Sequence, residues 1–330
     1  MNDEIKVSIC CATYNQEKCI EKTIEGFLNQ KVNFKYEIII HDDCSTDKTR
    51  DIIEKYRIQY PNLIRTIYQK ENKYSKGEKI TINYLFPNVQ GKYVALCEGD
   101  DYWNDENKLR IMYECLEKNK DCSFATHIVE KISKDGNCLH EFIPANYKIY
   151  SNEVNKIDID DFFTVFSKKT LTPFQTSSYF FRSEYLYEYL NIKQFQTIPG
   201  VGDLPLVWYL MYKGKILFIK KNMSFYRTGD SNSWSAKLDD INYRINHFKN
   251  LITFLNFYDG YTNYRYETHI KYLIKKYNFE ILRYSKNYKK IITGGYIDML
   301  MLNIKPIIFE LLWNKFKFFK LFYELYKKIK

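Results

Sequence analysis

Short apolar runs alternate with amphipathic segments over the first 130 residues of the chain. Uninterrupted β-branched and apolar residues predict buried strands over residues 5–12 (IKVSICCA), 36–40 (YEIII), 63–68, 92–97 (KYVALC) and 123–132. Helical spacing predicts helices over residues 16–30, from Ser45 or Thr46 to Pro61, over 78–86 and over 105–116. Because such alternation builds βαβ units, we expect an α/β fold with a mainly parallel sheet flanked by helices.

Polar residues follow three of these predicted strands at the point where each strand ends. The three segments are Thr13-Tyr14-Asn15, His41-Asp42-Asp43 and Glu98-Gly99-Asp100-Asp101. Ligands of open parallel sheets bind beyond the carboxyl ends of the strands, which meet at one edge. The three segments are therefore expected to line a single cleft, and two of them bring paired carboxylates to it.

The rest of the chain is less regular, and its charge differs from that of the first part. Residues 133–200 are mixed in pattern, whereas residues 241–290 and 306–329 have helical spacing. The net charge of the 330 residues is +10, yet residues 1–230 carry 32 basic and 32 acidic side chains. The excess charge therefore lies in residues 231–330. This shift predicts a neutral body over 1–230 and a cationic helical region over 231–330.

The composition also indicates the cellular compartment of the protein and the kinds of molecule that it binds. The eight cysteines all lie between residues 10 and 138, without CxxC spacing or a Cys/His cluster suited to zinc. The beginning of the chain lacks the basic and apolar regions of a signal peptide, and no apolar stretch is long enough to span a membrane. We expect a reduced, cytoplasmic protein. Nucleic acid is not an expected partner, because no basic stripe accompanies the strand ends.

The acidic pairs admit both a chemical and a structural interpretation. Asp100 and Asp101 are hard oxygen ligands suited to Mg²⁺ or Mn²⁺, but Asp101 could instead cap the next helix. Asp43 could bind a base or a ribose hydroxyl with Tyr14 stacked on the ring, while Asp42 makes a local turn. Neither a GxxxxGK[ST] loop nor a GxGxxG motif follows a strand. A nucleotide would therefore be held by acids and a metal ion.

Three motifs occur in register: VSICCATYNQE, EIIIHDDCSTDKT and GKYVALCEGDDYW. In this order and spacing they resemble the family 2 nucleotide-sugar glycosyltransferases of the GT-A fold. The resemblance covers residues 5–130 and resumes at Gly202-Asp203 and in YRTGDSNSW, which begins at Tyr226. It implies transfer of a sugar from a nucleotide-sugar donor, which we expect to be UDP-linked, with Mn²⁺ or Mg²⁺ as cofactor.

The resemblance also implies roles for individual residues. The nucleotide-sugar site would consist of Thr13, Tyr14, Asn15, Glu17, Asp43, Lys76, Glu98, Asp100 and Arg227. Asp43 would contact the uracil edge, and Asp100, helped by Asp101, would hold the metal ion and the diphosphate. Lys79 is a further candidate for the diphosphate. The sequence departs from the family pattern twice: Glu98 replaces the first aspartate of the DxD motif, and Gly229 stands where many relatives have histidine.

Asp203, in GVGDLPL, matches the position of the catalytic base of the family. In that role it would deprotonate an acceptor hydroxyl, which attacks the anomeric carbon in line, so that the sugar is transferred with inversion. The structural alternative is that Asp203 caps the helix predicted over LPLVWYLMY, in which Pro205 stands near the first position. The donor sugar, the acceptor and the oligomeric state are not indicated by the sequence.

Residues 305–330, KPIIFELLWNKFKFFKLFYELYKKIK, predict a basic amphipathic helix. A broad apolar face opposite a lysine-rich arc is typical of helices that lie in a membrane surface. Packing on the catalytic domain, or a dimer contact, is the alternative. A membrane location at the inner face would suit a glycan or lipid-linked acceptor in surface polysaccharide synthesis. Two other functions stay open: nucleotidyl- or sugar-phosphate transfer, and a non-enzymatic module that binds membranes or nucleic acid.

Overall fold

A central sheet of ten strands organises the computed structural model, which describes residues 4–165, 171, 173–229, 237–296, 298 and 299. The strands are β1 (Ile5–Thr13), β2 (Lys35–Asp42), β3 (Ile64–Tyr68), β4 (Tyr93–Leu96), β5 (Tyr102–Trp103), β6 (Cys122–Ile132), β7 (Cys138–Ile143), β8 (Val154–Ile157), β9 (Phe180–Arg182) and β10 (Lys215–Arg227). The five strands predicted in the first 132 residues are all present.

The strand order is β3-β2-β1-β4-β9-β6-β10-β5, with β7 paired to β6 and β8 paired to β10. Strands β3, β2, β1 and β4 are parallel to one another, and β6 is parallel to β10. Strand β9 lies between these two groups and is antiparallel to both of its neighbours, β4 and β6. The long strands therefore run in one direction, and their carboxyl ends share one edge.

Helices cover both faces of this sheet. They are α1 (Ile20–Leu28), α2 (Thr49–Gln59), α3 (Lys108–Lys118), α4 (Ile159–Val165), α5 (Glu184–Asn191), α6 (Lys193–Thr197), α7 (Leu204–Lys213), α8 (Ile241–Tyr261), α9 (Glu267–Tyr284) and α10 (Tyr288–Thr293). The prediction of an α/β fold with a C-terminal helical region is confirmed. Within the described part of the chain, no helix is long and apolar enough to cross a bilayer.

Two layers of apolar side chains explain why the strands have uninterrupted apolar sequences. Ile9 packs in one layer with α1, α2 and α3, whereas the next residue, Cys10, faces the opposite layer. Successive strand residues point to opposite faces, so burial of both faces favours apolar residues at most positions. The buried polar residues Ser8 of β1 and Glu37 of β2 form a 2.6 Å hydrogen bond with each other. Trp208 of α7 lies in the second layer, where its carbonyl accepts a 3.0 Å hydrogen bond from the Tyr258 hydroxyl. Helix α8 therefore shares the core of the catalytic domain.

The structure differs from the predictions at several places. Helix α2 begins at Thr49 rather than near Ser45, because residues 45–48 bond to the loop after β1. Residues 81–88 form short π and 3₁₀ turns instead of the continuous helix expected over 78–86. Strands β9 and β10 lie in stretches where no strand was predicted. The amphipathic segment 305–330 and the end of the YRTGDSNSW motif lie outside the described residues.

Candidate active site

The loops after β1, β2 and β4 are joined by main-chain hydrogen bonds at the carboxyl edge of the sheet. The Asp43 amide donates to the Thr13 carbonyl at 3.0 Å, and the Gly99 amide donates to the Ala12 carbonyl at 3.0 Å. A Cβ atom at Gly99 would lie 2.8 Å from the Cβ atom of Thr13, which has no room to move away, so glycine is required for this approach. The predicted juxtaposition of the three polar segments is confirmed.

The residues after β1 that are predicted to contact the nucleoside lie together at this edge of the sheet. Thr13 is buried, whereas Tyr14 is 44% exposed. Asn15 has a φ of 52°, and its Oδ1 atom accepts a 2.8 Å hydrogen bond from the Thr46 amide. Oε2 of Glu17 accepts a 3.1 Å hydrogen bond from the Lys48 amide. Asn15 and Glu17 thus hold the loops after β1 and β2 together beside Tyr14.

The two acids after β2 have different partners. Asp43 accepts hydrogen bonds from the Lys73 amide at 2.8 Å and the Tyr74 amide at 2.9 Å. It thereby fixes the loop that carries the exposed ring of Tyr74 above the strand ends. Asp42 is fully buried, pairs with Arg50 at 2.7 Å and accepts the Ser45 amide at 3.3 Å. The local turn predicted at Asp42 is therefore present, and the ion pair reinforces it.

Glu98, Asp100 and Asp101 form an acidic cluster at the end of β4. One carboxylate oxygen from each of them lies within 4.8 Å of the others. Although Glu98 keeps exposed surface, desolvation by the surrounding protein and repulsion from Asp100 and Asp203 raise the pKa of Glu98 to about 8. Burial, and then repulsion from Asp100 and Glu98, hold the pKa of Asp101 well above its usual range. Neighbouring carboxylates of this kind are stabilised by a cation placed among them.

Asp101 differs from Asp100 in its surroundings. Asp101 is completely buried, and its two oxygens accept hydrogen bonds from the Gln175 amide at 2.9 Å and the Arg227 main-chain N–H at 3.0 Å. It lies seven residues before α3, so it does not cap that helix. Asp100 is only half-buried. The Arg227 guanidinium donates to the Asp100 carbonyl at 3.1 Å, so Arg227 fixes the main chain of the cluster.

The lysines considered for the diphosphate have other partners. Lys76 is exposed and pairs with Glu71 at 2.5 Å. Lys79 donates a 3.0 Å hydrogen bond to the carbonyl of Ile198, in the segment that precedes Asp203. Desolvation lowers the pKa of Lys79 to about 8. Lys79 therefore anchors the loop that leads to the candidate base.

Asp203 directly precedes α7, but its side chain makes no capping bond to that helix. Instead, Oδ2 accepts a 3.2 Å hydrogen bond from the Thr176 hydroxyl. Desolvation raises the pKa of Asp203, and the hydrogen bonds donated by Tyr179 and Thr176 oppose that change. Its negative charge also acts on Glu98, so the candidate base faces the acidic cluster. A carboxylate with a raised pKa next to a metal site is suited to general-base catalysis.

Gln175 and Thr176 were not among the predicted site residues. They begin a 3₁₀ turn, Thr176–Ser178, which leads into β9. Their sequence, small and polar between two apolar stretches, carries no motif that indicates a site. Only the placement of β9 between β4 and β6 brings these residues next to the acids.

Residues 8–190, more than half of the chain, match the family described as Glycosyl transferase family 2. The chain belongs to this family. Because of this membership, the glycosyltransferase interpretation is favoured over nucleotidyl transfer and over a non-enzymatic binding module. The family match ends before Asp203, so the role of that residue depends on its geometry and on the resemblance of the GVGDLPL segment.

Part of the chain is similar in sequence to curated relatives. Over 142 residues, the chain is 34% identical to TuaG of Bacillus subtilis, a putative teichuronic acid biosynthesis glycosyltransferase; this covers 42% of the chain and 52% of TuaG. The chain spans 62% of the length of three uncharacterized mycobacterial relatives. It therefore corresponds to roughly half to three fifths of these proteins.

Solved structures share the fold. Staphylococcus aureus TarS 1–349 in complex with UDP has a TM-score of 0.57 and 16% identity, covering 87% of the chain and 75% of TarS. The mannosyltransferase PcManGT of Pyrobaculum calidifontis, in complex with GDP-Man and Mn²⁺, has a TM-score of 0.57 and 15% identity, covering 94% and 81%. The fold of the chain is that of the GT-A glycosyltransferases.

Proposed function

We propose that the protein is an inverting, metal-dependent glycosyltransferase that moves a sugar from a UDP-linked donor to a hydroxyl group. The acceptor is a glycan or a lipid-linked saccharide. The observation that carries the proposal is the arrangement of the carboxylates: Glu98, Asp100 and Asp101 cluster at the carboxyl edge of the sheet, and Asp203 faces them. This arrangement provides separate acids for the leaving diphosphate and for the attacking hydroxyl.

The donor nucleoside binds between the loops that follow β1 and β2. Tyr14 stacks on the base, because its ring is exposed next to the buried carboxylate of Asp43. Asp43 already accepts two main-chain hydrogen bonds, yet a carboxylate offers about four acceptor sites and can still accept the N–H of uracil. Thr13, Asn15 and Glu17 complete this surface. The complex of TarS with UDP is consistent with a uridine donor.

The acidic cluster fits a divalent cation by the chemistry of its oxygen ligands. Asp100 would be the principal ligand, because it is half-buried and stands at the second acidic position of Glu98-Gly99-Asp100, the segment that resembles the DxD motif. Asp101 supports the site from below, and Glu98 contributes its charge. When bound, Mn²⁺ or Mg²⁺ neutralises the charge that develops on the departing diphosphate. Arg227 steadies the main chain at Asp100.

Asp203 removes the proton of the acceptor hydroxyl as that oxygen attacks the anomeric carbon. The raised pKa of the carboxyl increases its basicity, and the Thr176 hydroxyl keeps it directed away from the start of α7. The configuration at the anomeric carbon inverts, because the acceptor oxygen attacks from the side opposite the diphosphate. A positioned general base contributes roughly 10²–10⁴-fold to the rate of such a step.

The enzyme works on the inner surface of the cell membrane, where residues 305–330 bind anionic lipid. Each basic residue near such a surface adds roughly 1 kcal/mol of binding free energy. TuaG, which bears a name from teichuronic acid synthesis, supports an acceptor in a surface polysaccharide. Flotation with liposomes that contain anionic lipid is expected for the full chain and not after deletion of 305–330. Equal flotation of both proteins would exclude the membrane role.

The function is tested with a panel of UDP- and GDP-sugars in the presence and absence of Mn²⁺. Stabilisation against thermal unfolding identifies the donor, since a ligand that binds only the native state raises the unfolding temperature. Release of UDP or GDP is then measured with candidate glycan acceptors. We expect a UDP-sugar to stabilise the protein in the presence of Mn²⁺ and to release UDP. Release of pyrophosphate or a nucleoside monophosphate would contradict the proposal.

A further inference from the structure

A short turn connects the acidic cluster with the candidate base. Gln175 and Thr176 are adjacent in sequence but bind different acids: Gln175 donates to Oδ2 of Asp101 at 2.9 Å, and Thr176 donates to Oδ2 of Asp203 at 3.2 Å. Asp101 and Asp203 are far apart in the chain, and this turn contacts both of them. The position of the turn therefore affects both halves of the site.

The turn is held rigidly on its other sides. The Ser177 carbonyl accepts hydrogen bonds from the Trp103 indole N–H at 3.2 Å and from the buried ammonium group of Lys108. The Ser177 hydroxyl lies 3.0 Å from that of Ser224 in β10. The Ser178 hydroxyl donates to the Gln175 carbonyl at 2.6 Å. Buried polar networks in which each member is satisfied restrict a site to one geometry.

The orientation of the Gln175 amide is fixed by its partners. Its Oε1 atom accepts from both the amide and the hydroxyl of Ser177, each at 2.6 Å. Only Nε2 is left to face Asp101, so the side chain cannot rotate its amide without placing an acceptor against a carboxylate. Asp101 in turn accepts the Arg227 main-chain N–H at 3.0 Å. Gln175 is therefore the link through which the turn holds the buried acid of the cluster.

We propose that Gln175 and Thr176 are positioning residues that hold the metal-binding acids and the base at a fixed separation. The inference rests on the proposed function, in which Asp100 binds the metal ion and Asp203 is the base. Gln175 acts through Asp101 on the metal site, and Thr176 acts through Asp203 on proton removal. The two residues therefore control different kinetic parameters.

The first test compares Thr176→Val with Thr176→Ser, using the UDP-sugar that gives the fastest UDP release. The valine variant keeps the volume but lacks the donor, and one hydrogen bond to a charged group corresponds to about a tenfold change. We expect kcat to fall about tenfold in Thr176→Val with an unchanged KM for the donor, and to recover in Thr176→Ser. Thr253→Val is the matched control, because Thr253 is exposed and its hydroxyl donates to the Lys249 carbonyl of its own helix at 3.1 Å.

The second test uses Gln175→Met, which has similar length and lacks the amide. We expect the Mn²⁺ concentration for half-maximal UDP release to rise several-fold, whereas Thr176→Val leaves it unchanged. If Gln175→Met does not fold, the Thr176 variants alone decide the inference, because Thr176 is only half-buried.

Two results would overturn this inference but not the proposed function, provided that the wild type transfers sugar. The first is that Thr176→Val has the same kcat and KM as the wild type. The second is that Thr176→Val loses kcat and Thr176→Ser does not restore it. A wild-type protein that neither binds UDP with Mn²⁺ nor releases it from a UDP-sugar would instead overturn the proposed function, and this inference with it.

Discussion

The Thr176 hydroxyl donates a 3.2 Å hydrogen bond to Oδ2 of Asp203, whose side chain does not cap the helix that begins one residue later. An aspartate at the start of a helix usually accepts the free N–H groups of the first turn. At this position the carboxylate faces the acidic cluster instead. The first turn of α7 contains Pro205, which has no N–H to offer. The helix therefore begins without using the carboxylate, which stays available for chemistry.

The first prediction concerns the activity of Asp203→Asn. Asparagine keeps the size of the side chain and can still accept the Thr176 hydrogen bond, but it cannot take a proton at neutral pH. We expect transfer to fall by roughly 10²–10⁴-fold while the affinity for UDP and Mn²⁺ stays within about twofold of wild type. Calorimetric titration with UDP and a transfer assay give the two values. Equal loss of binding and transfer would assign Asp203 to the donor site instead.

The second prediction concerns the dependence of transfer on pH. Asp203 removes a proton only when ionised, and desolvation raises the pKa of its carboxyl. Activity should therefore decline on acidification at a higher pH than the ordinary value for aspartate, about 3.9. In Thr176→Val the decline should begin at a still higher pH, because the hydroxyl that lowers the pKa of Asp203 is absent.

Tyr179, Tyr189 and Glu98 also interact electrostatically with Asp203, so the comparison between variants carries more weight than the position of either curve. The measurement is kcat/KM between pH 4 and 9 at saturating Mn²⁺. If kcat/KM falls at the same acidic pH in the wild type and in Thr176→Val, Thr176 does not affect the pKa of the base.

The sequence was sufficient to predict the first half of the fold and the juxtaposition of the polar segments that follow β1, β2 and β4. Strands β1, β2 and β4 are buried on both faces, so their apolar runs are easily recognised and their polar ends mark the edge. Strand β9 could not be predicted, because it has three residues and its pairing depends on neighbours distant in sequence. The contacts of Gln175 and Thr176 with Asp101 and Asp203 depend on that pairing, so the sequence does not indicate them.

The positions of the lysines could not be predicted from charge alone. Lys79 lies close enough in sequence to the donor motifs to be a candidate for the diphosphate, yet it bonds to the carbonyl of Ile198. That contact joins residues separated by 119 positions and leaves no periodic signal in the sequence. By contrast, Asp42 makes the local turn predicted for it, because its carboxylate accepts the Ser45 amide directly after the strand end, whereas the nucleotide role of Asp43 stays a prediction.

The third prediction concerns the ion pair behind the nucleoside surface. Arg50→Met should lower the free energy of unfolding by about 3 kcal/mol, because it leaves the fully buried carboxylate of Asp42 without its charged partner. Arg57→Met, which removes the exposed pair with Glu54, should cost less than about 1 kcal/mol. Urea unfolding of both variants provides the comparison. Similar losses in the two variants would contradict the structural role given to Arg50.

The central claim is that Asp100 binds a metal ion on which sugar transfer depends. The most direct test is the Mn²⁺ dependence of UDP release from the donor sugar by wild type, by Asp100→Asn and by Asp51→Asn. Asp51 is an exposed acid on α2 and serves as the matched control. We predict Mn²⁺-dependent release by the wild type and by Asp51→Asn, and a loss of at least about 100-fold in Asp100→Asn. Unchanged Mn²⁺-dependent release by Asp100→Asn would contradict the account.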